Sequence, residues 1–410
     1  MAMLLIEGVS ISCAIAQSDS FSEMTWHGLL DLSYMHPEGP TNWLDNGLGK
    51  LSVNNAQSGS NIFNLNQATL LLQARLGWSW SSSVTAKYSG RQDIPVDISE
   101  ALLLFRPVST TASQFSARMG AFLPPVSMEN TGVGWTSPYT LSSSTINSWA
   151  GEELKVFGGE AQYQYRFNNG DRIGVFASGF GNNDTAGVLL AWRGWALDNY
   201  TATLNDSFAL PATGIGGFFP KQAAQTRPFV EVDNRPGFYT GISIERPGFA
   251  KFRAMYYDNR GNPSMVKNGQ YAWHTRFGNM GLKMDLPWDT EFIGQAMLGE
   301  TQMGNFINNQ YAVDTSFWSG SILFSKKLDN QRFTVRYERF ATSGFDYLPQ
   351  DPNGENGQAW ICNYNIIFLE QHQFNLEFST IDSVHASRLK LGQLATQNEQ
   401  LWQVAYRLFF

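Results

Sequence analysis

Apolar and polar residues alternate with a period of two along this chain, from residue 24 to its last residue. In the final segment the apolar side chains occupy every second position, at Trp402, Val404, Tyr406, Leu408 and Phe410. Similar runs occur at 68–76, 160–167, 332–338 and 373–379. Successive side chains of a strand point to opposite faces, so this period predicts strands with one apolar face. Each run is close to the roughly 9–11 residues that a tilted strand needs to cross a bilayer.

Short turns and long loops alternate between these runs. Short turns are predicted at 78–81, 168–171, 247–248, 287–289, 328–330 and 369–371, and long loops at 36–65, 91–97, 123–151, 182–235, 259–269, 303–313, 342–355 and 382–398. The sequence therefore predicts an all-β fold, a transmembrane antiparallel up-and-down β-barrel of about sixteen strands. The segment Ala186–Trp192 could form one strand of an extra hairpin, and the barrel would then have about eighteen strands.

The composition fits strands that meet lipid on one face and water on the other. Only 15% of residues are charged and 14% are aromatic, yet the mean hydropathy is −0.25. The two faces of a transmembrane barrel average out in this way. No window holds the roughly 18 apolar residues that a membrane-spanning helix needs. A soluble β-sandwich or propeller is the alternative that composition alone leaves open.

Residues 1–16 are predicted to be a signal peptide, and 17–410 a single barrel. The apolar stretch ends in Ala-Ile-Ala at 14–16, a small-x-small cleavage pattern. No Lys or Arg precedes it and Glu7 interrupts it, so a truncated or misplaced start is one alternative. A lipid-anchored Cys13 is another. Removal of the leader leaves one cysteine and no internal disulfide.

Aromatic residues gather at the two ends of the predicted strands. Those near short turns are Phe105, Phe167, Trp288, Phe368 and Phe410, and those near long loops are Tyr34, Tyr88, Tyr256, Tyr337, Trp360 and Trp402. Two such levels are typical of the aromatic girdles at the two membrane interfaces.

The last residues resemble the C-terminal signal of Gram-negative outer-membrane barrels, in which a final Phe follows apolar residues at alternate positions. The matching residues are Trp402, Tyr406, Leu408 and Phe410. In that family the barrel-assembly machinery binds the signal, and the resemblance implies the same partner here.

The layout over residues 24–410 is similar to that of the porin superfamily, including the general and phosphate-selective porins. The resemblance implies a place in the bacterial outer membrane, contact with its lipid and lipopolysaccharide, and passage of small hydrophilic solutes. It also admits a homotrimer. The third long loop, Phe122–Gly151, occupies the position of the loop that folds inward and narrows the pore in porins. The Lys-dense stretch expected of a dedicated phosphate channel is missing from the sequence.

The sequence carries no catalytic or cofactor motif. It has no GxxxxGK phosphate loop, GxSxG elbow, HExxH or CxxC, and its five histidines are scattered. We therefore expect no enzyme activity, no cofactor, no metal centre and no nucleic-acid partner. Asp258, Glu300 and Asp314 could bind a divalent ion, but no ligand spacing supports it.

Charges on the strands are expected to point into the lumen, because a charge that faces lipid costs roughly 2–4 kcal/mol at the bilayer centre. The predicted pore-lining residues are Arg75, Lys87, Glu100, Arg106, Arg118, Glu129, Asn130, Trp135, Glu160, Arg166, Arg332, Arg336 and Glu338. The second to fifth strands supply a basic series, which predicts a weak anion preference with Arg118 in the constriction. Glu129, Asn130 and Trp135 of the inward loop would lie opposite that series. The alternative is that the charges pair across strands and only hydrate the wall.

Three functions remain in competition. The first is a channel for passive or weakly selective diffusion of small hydrophilic solutes, which about sixteen strands favour because barrels of that size leave an aqueous lumen. The second is a plugged barrel that serves as an adhesin or envelope anchor. The third is an outer-membrane enzyme, whose catalytic residues would come from distant positions.

Overall fold

The structure, a computed structural model, describes residues 23–53, 60–212, 219–348, 352 and 354–410. The predicted signal peptide lies outside the described residues. Sixteen antiparallel strands form one closed barrel, each bonded to its neighbours in the chain, with the last strand bonded to the first. The predicted all-β barrel is thereby confirmed.

The first eight strands are β1 (Met24–Glu38), β2 (Ile62–Arg75), β3 (Trp80–Tyr88), β4 (Val96–Phe105), β5 (Ser113–Phe122), β6 (Val156–Arg166), β7 (Arg172–Gly181) and β8 (Gly237–Arg246). The other eight are β9 (Ala250–Asp258), β10 (His274–Leu286), β11 (Thr290–Met303), β12 (Val313–Leu328), β13 (Gln331–Gly344), β14 (Glu355–Phe368), β15 (His372–His385) and β16 (Thr396–Phe409). Two pairs of two-residue strands are not part of the barrel sheet. Phe208–Ala209 pairs with Gln225–Thr226, and Val266–Lys267 pairs with Gln270–Tyr271.

The segment Ala186–Trp192 is not a barrel strand, so the eighteen-strand alternative is wrong. Helix α2 (Val188–Arg193) occupies it, and the Ala191 amide donates to the Gly187 carbonyl at 3.0 Å. The physical reason is visible in the sequence: Val-Leu-Leu-Ala-Trp is apolar at consecutive positions and does not alternate. All its residues are buried, so it has no face to offer to lipid.

Three of the long connections matter for the lumen. We call residues 39–61 the first loop, 123–155 the third loop and 182–236 the fourth loop, after their order along the chain. The third loop carries helix α1 (Thr145–Glu153), and three short 3-10 helices lie at Trp43–Asp45, Val133–Trp135 and Ala386–Leu391. Among the described residues, no helix has the length and apolar character required to span a membrane.

The outer surface carries the apolar belt that the alternation predicts. On β16, Trp402 and Val404 are exposed to the outside, while Gln403, Ala405 and Arg407 are buried on the inner face. Most of the predicted girdle residues are exposed, at both ends of the strands, as in Trp288, which is 85% exposed beside a short turn, while Phe105, Tyr337 and Phe368 are half-buried. Such a belt is what a transmembrane β-barrel presents to lipid.

The C-terminal residue takes part in closing the barrel. The Gly28 amide of β1 donates to the Phe410 carbonyl at 2.7 Å, and the Phe410 amide donates back at 3.2 Å. The Phe410 ring lies directly over Gly28, where an added Cβ would overlap it, and its centroid lies 5.5 Å from that of Trp26. A glycine at position 28 is therefore required for the final ring to seat on the first strand.

Replacement of Phe410 by Ala is expected to reduce the folded fraction several-fold, because the seam between β1 and β16 loses the ring that covers Gly28. Folded protein is measured as the band that shifts on boiling in detergent. Phe63→Ala is the control, since that ring is 73% exposed. Equal folded fractions for the two variants would contradict a special role of the final ring.

Candidate functional site

The third loop enters the lumen and is fastened to the far wall. β13 lies eight strands from β5 around the sixteen-strand barrel. Glu338 of β13 accepts hydrogen bonds from the Thr145 amide at 2.8 Å and hydroxyl at 3.0 Å, where α1 begins. Arg336 donates to Glu338 at 2.7 Å, and one of its nitrogens lies 3.5 Å from Glu129 of the loop. A carboxylate at a helix N-terminus satisfies amides that have no partner inside the helix.

Neighbouring strands hold the middle of the same loop. Glu377 of β15 accepts the amides of Leu141 at 2.6 Å and Ser142 at 3.0 Å. Asn363 of β14 donates to the Tyr139 carbonyl at 2.9 Å. These contacts confirm the predicted inward fold of the third loop.

A cavity of about 510 Å³, with both polar and apolar walls, remains between the beginning of the third loop and strands β2–β5. Arg118 lines it and is held by Glu160 of β6 through two bonds of 2.9 and 3.0 Å. The Tyr239 hydroxyl donates to the same carboxylate at 2.6 Å. Across the cavity, Glu100 accepts the Leu123 amide at 3.0 Å. The cavity wall thus presents an arginine whose charge is partly balanced by one carboxylate.

The fourth loop also folds into the lumen and joins the third loop. Glu153, at the end of α1, accepts the Gly187 amide at 3.1 Å and the Leu189 amide at 3.2 Å, at the beginning of α2. Arg193 of α2 pairs with Glu152 of α1 at 2.7 Å, and both side chains are buried. The two helices therefore form one unit inside the barrel.

The first loop completes this arrangement. Buried Lys50 forms an ion pair with Glu355 of β14 and donates to the Arg193 carbonyl at 2.9 Å. Its amide donates to both oxygens of Glu399 on β16, at 3.0 and 2.8 Å. The Lys50 carbonyl in turn accepts the Leu197 amide of the fourth loop at 2.9 Å. Charged anchors therefore hold all three loops against the inner wall.

An apolar core fills the space between these loops and the wall. Trp149 of α1 is fully buried, with ring centroids of Trp195, Phe277 and Phe317 at 6.0, 5.5 and 5.3 Å. Phe277 and Phe317 are strand residues that point into the barrel, where a water-filled lumen would favour polar side chains. This part of the lumen is packed like the interior of a soluble domain.

Burial shifts the pKa of several loop groups. It raises the pKa of Glu153 to about 7, against the opposing effect of its Trp149 and backbone hydrogen bonds. It likewise raises the pKa of Asp184, in the fourth loop, to about 7. Burial lowers the pKa of Lys50 and of Lys155 to about 8. The docked loops therefore favour the uncharged form of each of these groups.

The predicted pore-lining residues occupy three different environments. Glu100, Arg118, Asn130 and Trp135 line the 510 Å³ cavity, with Glu160 bound to Arg118, and Arg106 lines a second cavity of about 530 Å³. The far-wall anchor consists of Glu129, Arg336 and Glu338. Arg332 donates to Glu291 at 2.5 Å. Lys87 is buried beneath the fourth loop, where it donates to the Thr201 carbonyl at 3.0 Å, while Arg75 and Arg166 lie exposed beside the short turns.

The basic series is spread along the wall, and one expectation about the inward loop needs correction. Arg75 and Lys87 both lie near the carboxyl ends of neighbouring antiparallel strands, which places them at opposite ends of the barrel. Glu129 does not face Arg118 but contacts Arg336 on the far wall. Alternation specifies the face on which a side chain lies, but not its height in the barrel or the direction a loop residue takes.

Sequence analysis missed the loop anchors and part of the basic wall. Lys50, Glu152 and Glu153 lie in non-periodic segments, so no pattern marked them. Lys251 and Lys283 lie on the inner faces of β9 and β10 close to short turns. Their position on polar faces beside predicted turns was the signal that could have found them.

The acidic groups considered for metal binding have protein partners. Asp258 lies 3.1 Å from His274, and Glu300 accepts a bond from Arg276 at 2.6 Å. A second group, Asp184, Glu231 and Asp233, brings its carboxylates within 4.8 Å of one another in the fourth loop. Each of these three carboxylates accepts backbone amides, which accounts for the grouping.

Comparison with solved structures supports the fold. The outer membrane channel DcaP of Acinetobacter baumannii is 10% identical, with a TM-score of 0.59, and the match covers 95% of this chain and 97% of that one. An anion-selective porin from Comamonas acidovorans is 10% identical, with a TM-score of 0.53 over 95% of this chain and 100% of the other. OmpT of Vibrio cholerae in its trimer form is 10% identical, with a TM-score of 0.52 over 95% and 99% of the two chains.

No protein-family model and no curated protein sequence matches the chain. The structural likeness therefore shows the fold, a barrel of the bacterial outer-membrane type.

Replacement of Arg336 by Met is expected to loosen the third loop, because it leaves the buried carboxylates of Glu338 and Glu129 without their counter-charge. Loss of one partner of a buried ion pair costs about 3–5 kcal/mol. Labelling of a cysteine placed at buried Ala150, in a Cys362→Ser background, measures the loosening. Arg339→Met on the outer face of the same strand is the control. Equal labelling rates in the two variants would exclude the anchor.

The docking of the fourth loop inside the barrel is expected to weaken as the pH rises from 5 to 8. The docked loop raises the pKa of Glu153 and Asp184 to about 7. A raised carboxyl pKa contributes stability that is complete below the pKa of the exposed group and is lost as pH rises through the docked value. One unit of pKa shift corresponds to about tenfold in the docking equilibrium. Lys50 and Lys155 act in the opposite direction, but only above about pH 8.

The measurement is thiol labelling of Ala196→Cys, divided at each pH by labelling of exposed Leu394→Cys to remove the ionisation of the thiol itself. Both variants carry Cys362→Ser. Glu153→Gln should flatten the rise, because its amide does not titrate. A normalised rate that is constant between pH 5 and 8 would contradict the prediction.

Proposed function

We propose that this chain is an outer-membrane channel for small hydrophilic solutes, with passive or weakly selective diffusion. The observation that carries the proposal is the inward third loop, which leaves a charged cavity of about 510 Å³ beside β2–β5. A loop that narrows the lumen and leaves polar groups at the opening is how a barrel selects solutes by size and charge. Lipid and lipopolysaccharide would surround the barrel, and the barrel-assembly machinery would bind β16 through its final residues.

The proposal assigns no reaction, cofactor or nucleic-acid partner to the chain. Within the described ranges, each histidine ring that has a hydrogen-bond partner uses a group other than a serine hydroxyl. His36 is paired with the Asn61 side-chain oxygen, His274 with Asp258, His372 with the Tyr406 hydroxyl, and His385 with the Ser387 amide. No serine, threonine or cysteine nucleophile paired with a histidine is therefore visible in this part of the chain.

A plugged barrel is the second candidate, and a specific observation favours it. The fourth loop and the third loop share a buried core and the buried ion pair of Arg193 with Glu152 inside the lumen. Single-channel recording in a planar bilayer separates the two candidates. We expect conductance steps from the wild type and more frequent openings from Glu153→Ala, which removes the acceptor of the α2 amides. Absence of steps from both proteins, when each is shown to be folded, would establish the plugged barrel.

We propose a weak anion preference that depends on Arg118. Because Glu160 balances part of its charge, the preference is expected to be small. Arg118→Glu places a second carboxylate beside Glu160 and should turn the preference towards cations. Reversal potentials in a salt gradient provide the measurement, and Lys221→Glu, an identical charge change in an exposed part of the fourth loop, provides the control. A cation-selective wild type would overturn the proposal.

A homotrimer is proposed for the assembly, by analogy with the trimer form of the Vibrio cholerae OmpT. The mass of the unboiled protein in detergent, measured by light scattering, tests it. A mass corresponding to a single chain would exclude the trimer.

A further inference from the structure

Basic residues line up at one level on the inner wall, close to the short turns. The strand register places Arg166 of β6 opposite Arg172 of β7, which is opposite Glu245 of β8. Glu245 is opposite Lys251 of β9, which is opposite Lys283 of β10. Five adjacent strands therefore contribute four basic residues and one acidic residue to a single rung, which we call the basic rung.

Two contacts in the basic rung join like charges directly. Arg166 faces Arg172, and Lys251 faces Lys283. Like charges that are directly opposite on neighbouring strands destabilise a sheet. Arg172 is relieved by Glu245 at 3.2 Å, and Lys283 by Glu291 at 2.6 Å. The rung as a whole retains more basic than acidic groups.

Two members of the rung have no side-chain partner in the described chain, the exposed Arg166 and the half-buried Lys251. Among the residues that the structure describes, no hydrogen bond or ion pair reaches the ammonium group of Lys251. Two residues along β9, Arg253 donates to the Pro125 and Ser127 carbonyls of the third loop at 2.9 and 3.3 Å, and it has no carboxylate partner in the described chain. A half-buried ammonium and a half-buried guanidinium thus lie side by side. Neither forms an ion pair within the described chain, although Glu245 lies opposite Lys251 and Glu160 lies near Arg253.

Open space adjoins both groups. Lys251 lines the cavity of about 530 Å³, together with Arg106 and Arg172. It also lines a cavity of about 280 Å³, together with Arg253 and Lys283. Glu245 lines both cavities and Asp285 lines the second, so acidic groups are present in each, but basic groups outnumber them. The two spaces meet at Lys251 and have the size of a small organic solute.

We propose that Lys251 and Arg253 form a binding site for small solutes that carry two or more negative charges, as carboxylates or phosphates. A guanidinium presents paired donors that fit either group, and an ammonium supplies a compact charge beside it. A bound dianion would replace the missing counter-charge of the basic rung. The site deepens the proposed function, on which it rests, because it names the class of solute that the lumen retains at its short-turn end.

Calorimetric titration of the detergent-solubilised protein with inorganic pyrophosphate, and separately with citrate, tests the site. We expect saturable binding of at least one of the two at low ionic strength, and weaker binding at 0.5 M salt because exposed charges are then screened at roughly 3–5 Å. Lys251→Gln should weaken binding at least about tenfold, as expected for loss of a charged hydrogen bond. Lys221→Gln should leave the affinity unchanged.

The variants keep the outcome interpretable. Lys251 holds no other residue of the described chain, so Lys251→Gln is not expected to disturb folding. Arg253→Gln provides a second measurement, although it also releases two carbonyls of the third loop. Binding of pyrophosphate alone would assign the site to phosphates, and binding of citrate alone to carboxylates. Absence of binding of both anions, or an affinity that Lys251→Gln does not change, would overturn the proposal.

This experiment is independent of conduction. Binding by a protein that gives no conductance steps would sustain the anion site while the channel proposal fails. Conductance without anion binding would sustain the channel and remove the site.

Discussion

Closure of the barrel is the constraint on which everything else in this structure depends. Inside a bilayer no water is present to bond the backbone, so a sheet can span it only if its first and last strands pair. β1 and β16 meet this demand in an unbroken register from Leu29 with Phe409 to Glu38 with Gln400. Arg407 of β16 pairs with Asp31 of β1 at 2.7 Å and reaches the Ser137 carbonyl of the third loop at 3.3 Å. The seam is therefore also an attachment point for the lumen contents.

The inner wall is organised around buried charges. Ion pairs removed from water contribute little net stability, because desolvation offsets their attraction, but they are costly to break. This property holds each loop in one position through the pairs of Arg336 with Glu129, Arg193 with Glu152, and Lys50 with Glu355. The apolar core around Trp149 fills the space that these anchors enclose. The same set of contacts packs the loops on one side of the lumen. Open, charged cavities remain on the other side.

The total charge of the protein says little about its lumen. The chain carries a formal net charge of −7, yet the wall near the short turns is basic. Fields from distant surface charges are screened within about 8–10 Å at physiological salt, so a solute in the cavity responds to nearby side chains. Arg118, bound by Glu160, and Lys251, without a partner, therefore differ in what they offer to an anion although both point inward.

By itself the sequence determined the barrel, a count of about sixteen strands with eighteen as the alternative, the alternation of turns and loops, and the face on which each strand residue lies. These follow from local rules, because a period of two and a turn residue act within a few positions. The tertiary structure decided the rest. The helix at Val188–Arg193, the anchor of Glu129 on Arg336 and the alignment of Lys251 with Lys283 depend on strand register and on segments far apart in the chain. Contacts across the lumen set the height of a side chain in the barrel and the path of a loop. Such contacts produce no periodic pattern in the sequence.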